Sequence, residues 1–121
     1  MISGLSTLWR YVYDMDASVA FYRDVLGLEP GVMSPYWSDF KLGDQRIGLH
    51  PGGKGEVPSV GWCLGLASDD LKALKQRLAD HGIAITADYH QTPSGVVLSF
   101  NDSEGYPIQV IQPGSKLSDF N

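Results

Sequence analysis

The feature that most constrains this sequence is a pattern of elements that occurs twice. Acidic cap residues at 14–16 precede a helical stretch that ends at Gly27, and cap residues at 68–70 precede a second one that ends at Gly82. Asp and Ser favour helix N-termini, whereas glycine favours the position just past the last turn. In the second stretch the leucines recur at helical intervals. The sequence therefore predicts two helices, each with one buried side.

Each predicted helix follows one strand and precedes three. Runs of β-formers separated by turn signals predict strands at 5–13, 29–34, 36–42, 46–50, 60–67, 83–89, 96–101 and 106–111. The order βαβββ thus occurs at about 4–50 and again at about 60–112, with a Gly- and Pro-rich loop at 51–58 between the two modules. We predict a single α+β domain over residues 1–121, with a loosely held tail after Pro113. Element order alone is compatible with two architectures: a ferredoxin-like sandwich, or a half-barrel around a cavity.

Composition limits the function classes. A chain of 121 residues with 43% hydrophobic and 19% charged residues is long enough for one core. The net charge of −5 argues against nucleic acid as a partner, and no apolar run is long enough for a membrane helix. The lone cysteine, Cys63, cannot form an internal disulfide. We therefore predict a cytoplasmic protein without nucleic-acid or membrane partners.

The stretch from Asp14 to Leu28 resembles the first-module signature of the vicinal oxygen chelate superfamily, which comprises glyoxalases, bleomycin resistance proteins and extradiol dioxygenases. It has an Asp at a strand end, a Ser four residues later, a Phe-Tyr pair and a Leu-Gly pair. Residues 40–44, 68–71 and 102–109 are similar to further family segments. The resemblance implies two βαβββ modules that form a half-barrel around a cavity, a small-molecule ligand and a homodimer.

The resemblance also implies one divalent metal ion, held by residues on the first and fourth strands of each module. The matching positions of this sequence are Thr7, Gly48, Cys63 and Gln109. Thr7 and Gly48 cannot serve as strong ligands, and a thiolate with a neutral amide is a poor site. We predict no metal cofactor; the alternative is one divalent ion held by His50, Cys63 and Gln109.

Aromatic residues dominate the predicted cavity. If Thr7 faces the interior, the alternation of a strand sends Trp9 and Tyr11 to the same side, and Trp37 or Phe40 contributes from the third strand. Rings of this kind bind flat or cationic molecules, although they also simply fill cores. The predicted ligand-binding residues are Trp9, Tyr11, Trp37, Phe40, His50, Cys63 and Gln109.

These observations predict a metal-independent protein that binds a small aromatic or cationic ligand. The alternative is a metal-dependent lyase, isomerase or dioxygenase of the same superfamily with an atypical metal site. No Ser/His/acid set or phosphate-binding loop with recognisable context is present in the sequence. Whether the chain is an enzyme stays open at this point.

Overall fold

A computed structural model describes residues 1–57 and 61–121. The chain forms two compact units, Met1–Val57 and Pro58–Asn121. Two sequence predictions reach outside the described residues: the end of the loop at Pro58 and the start of the fifth strand at Val60.

The first unit is a four-stranded mixed sheet covered on one side by a helix. Its elements are β1 (Leu8–Val12), α1 (Met15–Ala20), β2 (Glu29–Met33), β3 (Ser38–Leu42) and β4 (Gln45–Pro51). The strand order is β1-β4-β3-β2, with β1 parallel to β4 and the other pairs antiparallel. The parallel pair is possible because the helix connects β1 back to the same sheet.

Local sequence sets the limits of α1. The Asp14 carboxylate accepts a hydrogen bond of 3.0 Å from the Ala17 backbone N–H, which caps the first turn. The helix continues as a π-helical turn, Phe21–Val25, in which the Leu26 N–H donates to the Phe21 carbonyl. Gly27 then adopts a φ of 72°, which ends the helix without steric strain. The predicted helix and both of its end signals are therefore present.

The second unit repeats this plan. Its elements are β5 (Leu64–Ala67), α2 (Leu71–Asp80), β6 (Ile85–Thr92), β7 (Gly95–Asn101) and β8 (Pro107–Pro113). The strand order is β5-β8-β7-β6, with β5 parallel to β8 and the other pairs antiparallel. The Asp70 carboxylate caps α2 by accepting from the Ala73 N–H, and Gly82 has a φ of 71° after its end. The α+β fold of two βαβββ modules is thus confirmed.

Each unit places its core between the sheet and its own helix. The buried apolar residues of the first unit are Val12, Phe21, Tyr22, Val25, Phe40, Ile47 and Leu49. Those of the second are Leu71, Leu78, Val96, Leu98, Phe100, Ile108 and Val110. In both sheets the buried residues alternate with residues that face the other side, so one face of each sheet is left for other roles.

The C-terminal tail is packed, and the expectation of a loosely held segment is wrong. A 3₁₀ turn at Leu117–Phe120 follows β8. The ring of Phe120 lies 4.5 Å from that of Tyr89, and the Leu117 N–H donates to the Gln91 side chain over 2.7 Å. These contacts tie the tail to β6.

The first strands of both modules are shorter than predicted. β1 has 5 residues and β5 has 4, so Thr7 and Cys63 precede their strands. Among the described residues, no helix is long and apolar enough to cross a membrane.

Candidate ligand-binding face

Four rings gather on the side of the first sheet that faces away from α1. We call this set the aromatic face: Trp9, Tyr11, Trp37 and His50. The ring centroids of Trp9 lie 5.1 Å from Tyr11, 6.2 Å from Trp37 and 5.7 Å from His50. The separations and mostly edge-to-face angles are those at which aromatic rings attract one another. Four of the predicted ligand-binding residues are therefore brought together.

The register of β1 and β4 explains this gathering. Trp9 pairs with Gly48 and Tyr11 pairs with His50, so these positions share one face of the sheet. The face is open, since 44% of the Trp9 surface and 52% of the Tyr11 surface are exposed. Rings that only filled a core would be covered. The arrangement therefore offers ring faces and edges to a molecule from solution.

A buried carboxylate underlies the aromatic face. Asp39 is 5% exposed, and its two oxygens accept hydrogen bonds from the Trp37 indole N–H (3.0 Å), the Val32 backbone N–H (2.8 Å) and the Arg46 guanidinium (3.1 Å). Burial alone would raise the pKa of Asp39. The hydrogen bonds from Trp37 and Val32 and the charge of Arg46 together outweigh it and lower the pKa below its ordinary value. Asp39 is thus a fixed negative charge.

His50 supplies the polar atom of the aromatic face. Its Nδ1 lies 2.6 Å from the carbonyl oxygen of Pro51. Because a carbonyl oxygen only accepts hydrogen bonds, Nδ1 carries a proton. In the neutral ring Nε2 is then left as an acceptor, so this face can receive an N–H or O–H group of a ligand.

Phe40 does not belong to the aromatic face, and its prediction as a ligand-binding residue is wrong. It is 0% exposed, and its ring lies 5.9 Å from that of Tyr22 beneath the helix. Phe40 pairs with Ile47 on the helix side of the sheet, whereas the Trp37 ring lies over Gly48 on the opposite side. Phe40 is a core residue.

Cys63 and Gln109 belong to the second unit, whereas the aromatic face belongs to the first. Cys63 is exposed before β5, with its Sγ 3.4 Å from the Pro107 carbonyl oxygen, so it is not the buried residue expected on a covered strand. Gln109 is exposed on β8, where it pairs with Gly65 and Ser99. The contacts described for Cys63 and Gln109 are therefore with residues of the second unit.

Two of the residues at the family's metal-ligand positions, Thr7 and Gly48, do not fit a metal ion. The Thr7 hydroxyl donates to the Arg46 carbonyl over 3.2 Å, and Gly48 has no side chain. A Cβ built at Gly48 would collide with the Trp37 ring, so the space of a ligand side chain is filled. Within residues 1–57 and 61–121, no three His, Cys, Asp or Glu side chains cluster as a metal site would require.

Two shallow depressions lie away from the aromatic face. One, of about 390 Å³, lies between α1 and the turn before β3 and is lined by Met15, Val19, Arg23 and Met33 among others. The other, of about 390 Å³, is in the second unit at Ser68 and Gln112. Neither combines converging aromatic and polar groups as the aromatic face does, and ligand recognition depends on that combination.

Sequence reasoning missed Asp39 and Gly31, and it placed Gly48 at a metal-ligand position without identifying the ring that covers it. Asp39 stands within a strand that also contains Phe40, and a charged residue inside such a strand is a signal that could have been used. Gly31 and Gly48 have no positive φ, so backbone conformation does not explain them. Each is covered by a side chain instead: the Asp39 carboxylate lies over Gly31, and the Trp37 ring lies over Gly48.

Comparison with known proteins agrees with this description. A family model described as the Glyoxalase/Bleomycin resistance protein/Dioxygenase superfamily matches residues 4–110. The chain belongs to this superfamily, and the vicinal oxygen chelate resemblance of its sequence is confirmed. A search of curated proteins found no significant match.

Solved structures with the same fold include three with named roles. A lactoylglutathione lyase from Agrobacterium tumefaciens is 27% identical with a TM-score of 0.73, over 92% of this chain and 94% of that one. TnmS3, an antibiotic binding protein from Streptomyces sp. CB03234, is 24% identical with a TM-score of 0.75, over 94% and 100%. The fosfomycin resistance protein FosX from Listeria monocytogenes is 17% identical with a TM-score of 0.78, over 99% and 97%. The latter two likenesses show the fold alone.

Proposed function

We propose that this chain binds a flat aromatic or cationic small molecule on its aromatic face, without a metal ion. The observation that carries the proposal is the gathering of Trp9, Tyr11, Trp37 and His50 on one open side of the first sheet. Aromatic faces attract cations and stack on planar rings, with each contact worth about 0.5 to 2 kcal/mol.

Charge and polarity narrow the ligand class. The net charge of −5 favours cations over anions, and the Asp39 carboxylate lies at the indole N–H edge of the Trp37 ring. The acceptor Nε2 of His50 suits a ligand that carries an N–H or O–H group. A planar organic cation with a hydrogen-bond donor satisfies all three features. The fold is compatible with small-molecule binding, since TnmS3, described as an antibiotic binding protein, has the same fold.

Titration calorimetry tests the proposal. The protein is dialysed against EDTA and titrated with ethidium, a planar cation with amino groups, and we expect saturable binding. The chain has three tryptophans, and Trp62 is 98% exposed, which makes it a control. Trp9→Leu should weaken binding about tenfold, whereas Trp62→Leu should leave it unchanged. Equal affinities of the two variants, or no binding by the wild-type chain, would contradict the proposal.

A second candidate is a metal-dependent lyase, isomerase or dioxygenase with an atypical site that includes His50, Cys63 and Gln109. The observation in its favour is the 27% identity to a lactoylglutathione lyase. Elemental analysis of protein purified without added metal and then dialysed tests it. About one divalent ion per chain that survives dialysis and is lost in His50→Ala would support the enzyme and exclude metal-independent binding.

Location and assembly are proposed with this function. The acidic composition, the lone Cys63 and the superfamily resemblance support a cytoplasmic homodimer. Sedimentation equilibrium of the 13.2 kDa chain checks the assembly. A single species of monomer mass at micromolar concentration would contradict the dimer.

A further inference from the structure

The indole of Trp37 lies across a strand glycine of the same sheet. A Cβ built at Gly48 would collide with the Cη2 and Cζ2 atoms of Trp37 and would lie 3.0 Å from the Cβ of Trp9. Gly48 is buried in the middle of β4, where its φ is not positive. A glycine inside a strand weakens it and often marks a place where another group approaches closely. At Gly48 the approaching group is the Trp37 ring.

The same ring is held at its polar edge. The indole N–H donates to Oδ2 of Asp39, while Oδ1 of Asp39 accepts from the Val32 N–H and from Arg46. The carboxylate lies over Gly31 in the same way that the ring lies over Gly48, since a Cβ at Gly31 would collide with Oδ1. β2 is irregular between Pro30 and Met33, which turns the Val32 N–H toward the carboxylate. The carboxylate is therefore held in place by Val32 and Arg46, independently of its contact with the ring.

We propose that Gly48 and Asp39 are positioning residues that fix the Trp37 indole as a flat floor of the aromatic face, so that this face selects planar over non-planar cations. The floor occupies the space where the superfamily resemblance places a metal ligand. The part of this inference that concerns selectivity rests on the proposed function, whereas the fixed ring is a property of the free protein.

The first experiment compares a strand glycine that is covered by a ring with an exposed strand glycine that has open space above it. Gly48→Ala should displace the ring, whereas Gly65→Ala, on β5 of the second unit, meets nothing within 4 Å. Near-ultraviolet circular dichroism reports the fixed asymmetry of tryptophan rings. We expect Gly48→Ala to lose most of the tryptophan signal and to lower the urea midpoint, and Gly65→Ala to keep both.

A double-variant cycle separates the ring from other effects of a substitution in β4. In a Trp37→Leu background the Gly48→Ala substitution should lower the urea midpoint much less, because the two colliding indole atoms are gone and only the close contact with the Trp9 Cβ remains. If Gly48→Ala alone does not fold, the soluble double variant still gives the result. An equal loss with and without the indole, or a double variant that fails to fold while Gly65→Ala folds, would overturn the proposal.

The carboxylate is tested by its chemistry. Asn retains an oxygen that can accept from the Trp37 N–H, so Asp39→Asn should keep much of the tryptophan circular dichroism signal, and Asp39→Leu should lose it. If Asp39 only supported the fold and did not hold the ring, the signal would not be kept in Asp39→Asn and lost in Asp39→Leu. Equal signals in the two variants would show that the hydrogen bond does not position the ring.

Selectivity is measured with ethidium and with tetraethylammonium, which is not planar. The wild-type chain should bind ethidium more tightly by about tenfold or more, and Gly48→Ala should lose that preference. If the wild-type chain binds neither cation but the circular dichroism results hold, the proposed function fails and the fixed floor stands. If ethidium binds with the same preference in Gly48→Ala, the function stands and the floor does not determine selectivity.

Discussion

The two units share one backbone plan, and their main chemical difference lies on the face of the sheet opposite the helix. In the first sheet, Gly48 of β4 pairs with Trp9 of β1 on one side and with Asp39 of β3 on the other. At the matching place in the second sheet, Gln109 of β8 pairs with Gly65 of β5 and with Ser99 of β7. On the helix side the match is close, because Phe40 pairs with Ile47 just as Phe100 pairs with Ile108. The comparison teaches that the core between sheet and helix stabilises the fold in both units. The opposite face of each sheet can therefore differ in its side chains without loss of the fold.

The largest expected effect tests whether the two helix sides are equivalent. Phe40→Ala and Phe100→Ala each remove a ring that is 0% exposed, so each should lower the free energy of unfolding by about 3 to 5 kcal/mol. Urea denaturation followed by far-ultraviolet circular dichroism measures both. A Phe40→Ala variant of normal stability that no longer binds ethidium would restore Phe40 as a ligand-binding residue and break the comparison.

The next effect concerns a buried carboxylate that the second unit lacks at the matching position. At pH 6, Asp39→Asn should lower the free energy of unfolding by about 1.5 to 3 kcal/mol, as expected for hydrogen bonds to a charged group. Since the folded-state pKa lies below the ordinary 3.8, this stabilisation is present above that pH and is lost as the pH falls through the folded value. The difference between wild type and variant should therefore shrink below pH 3.8.

Asp88 serves as the control for this pH series. Its pKa is also lowered, chiefly by the hydrogen bond from Lys75, but 64% of its side chain is exposed. Water screens such a pair, so Asp88→Asn should change the free energy of unfolding by about 0.5 kcal/mol or less. Equal effects of Asp39→Asn and Asp88→Asn at pH 6 would show that the buried network contributes nothing special.

A smaller effect sharpens the comparison from the other side, because the 3₁₀ turn at the C-terminus packs within the second unit, against β6 and beside Lys72 of α2. Phe120→Ala removes the ring contact with Tyr89 and should lower the free energy of unfolding by about 1 kcal/mol. Hydrogen exchange should become faster at residues 115–120 and remain unchanged in β1 to β4. Ser118→Ala, at an exposed position of the same turn, is the matched control.

The fold could be predicted because its signals are local. Capping residues such as Asp14 and Asp70, glycines after the helices and the alternation of strands each report on a few neighbouring residues. The tail could not be predicted in this way. A single 3₁₀ turn has no periodicity, and its contacts with Tyr89 and Gln91 are distant in sequence.

The candidate site was predictable in part for the same reason. Trp9 and Tyr11 follow from strand alternation, and His50 follows from its spacing from Gly48. The assignment of Phe40 was wrong because strand alternation does not say which side of β3 faces the helix, and Phe40 lies on that side. The hydrogen bond from the Val32 N–H to Asp39 lies at an irregularity in β2, and strand alternation does not give its geometry. Cys63 and Gln109 remain predictions as ligand-binding residues.

The covered glycine at position 48 has an evolutionary consequence. Because its missing side chain and the indole at position 37 compete for one volume, neither position can change freely on its own. Among descendants of a common ancestor, we expect lineages that gain a large residue at 48 to have a small residue at 37, and lineages that keep the indole to retain glycine. The two positions should therefore covary.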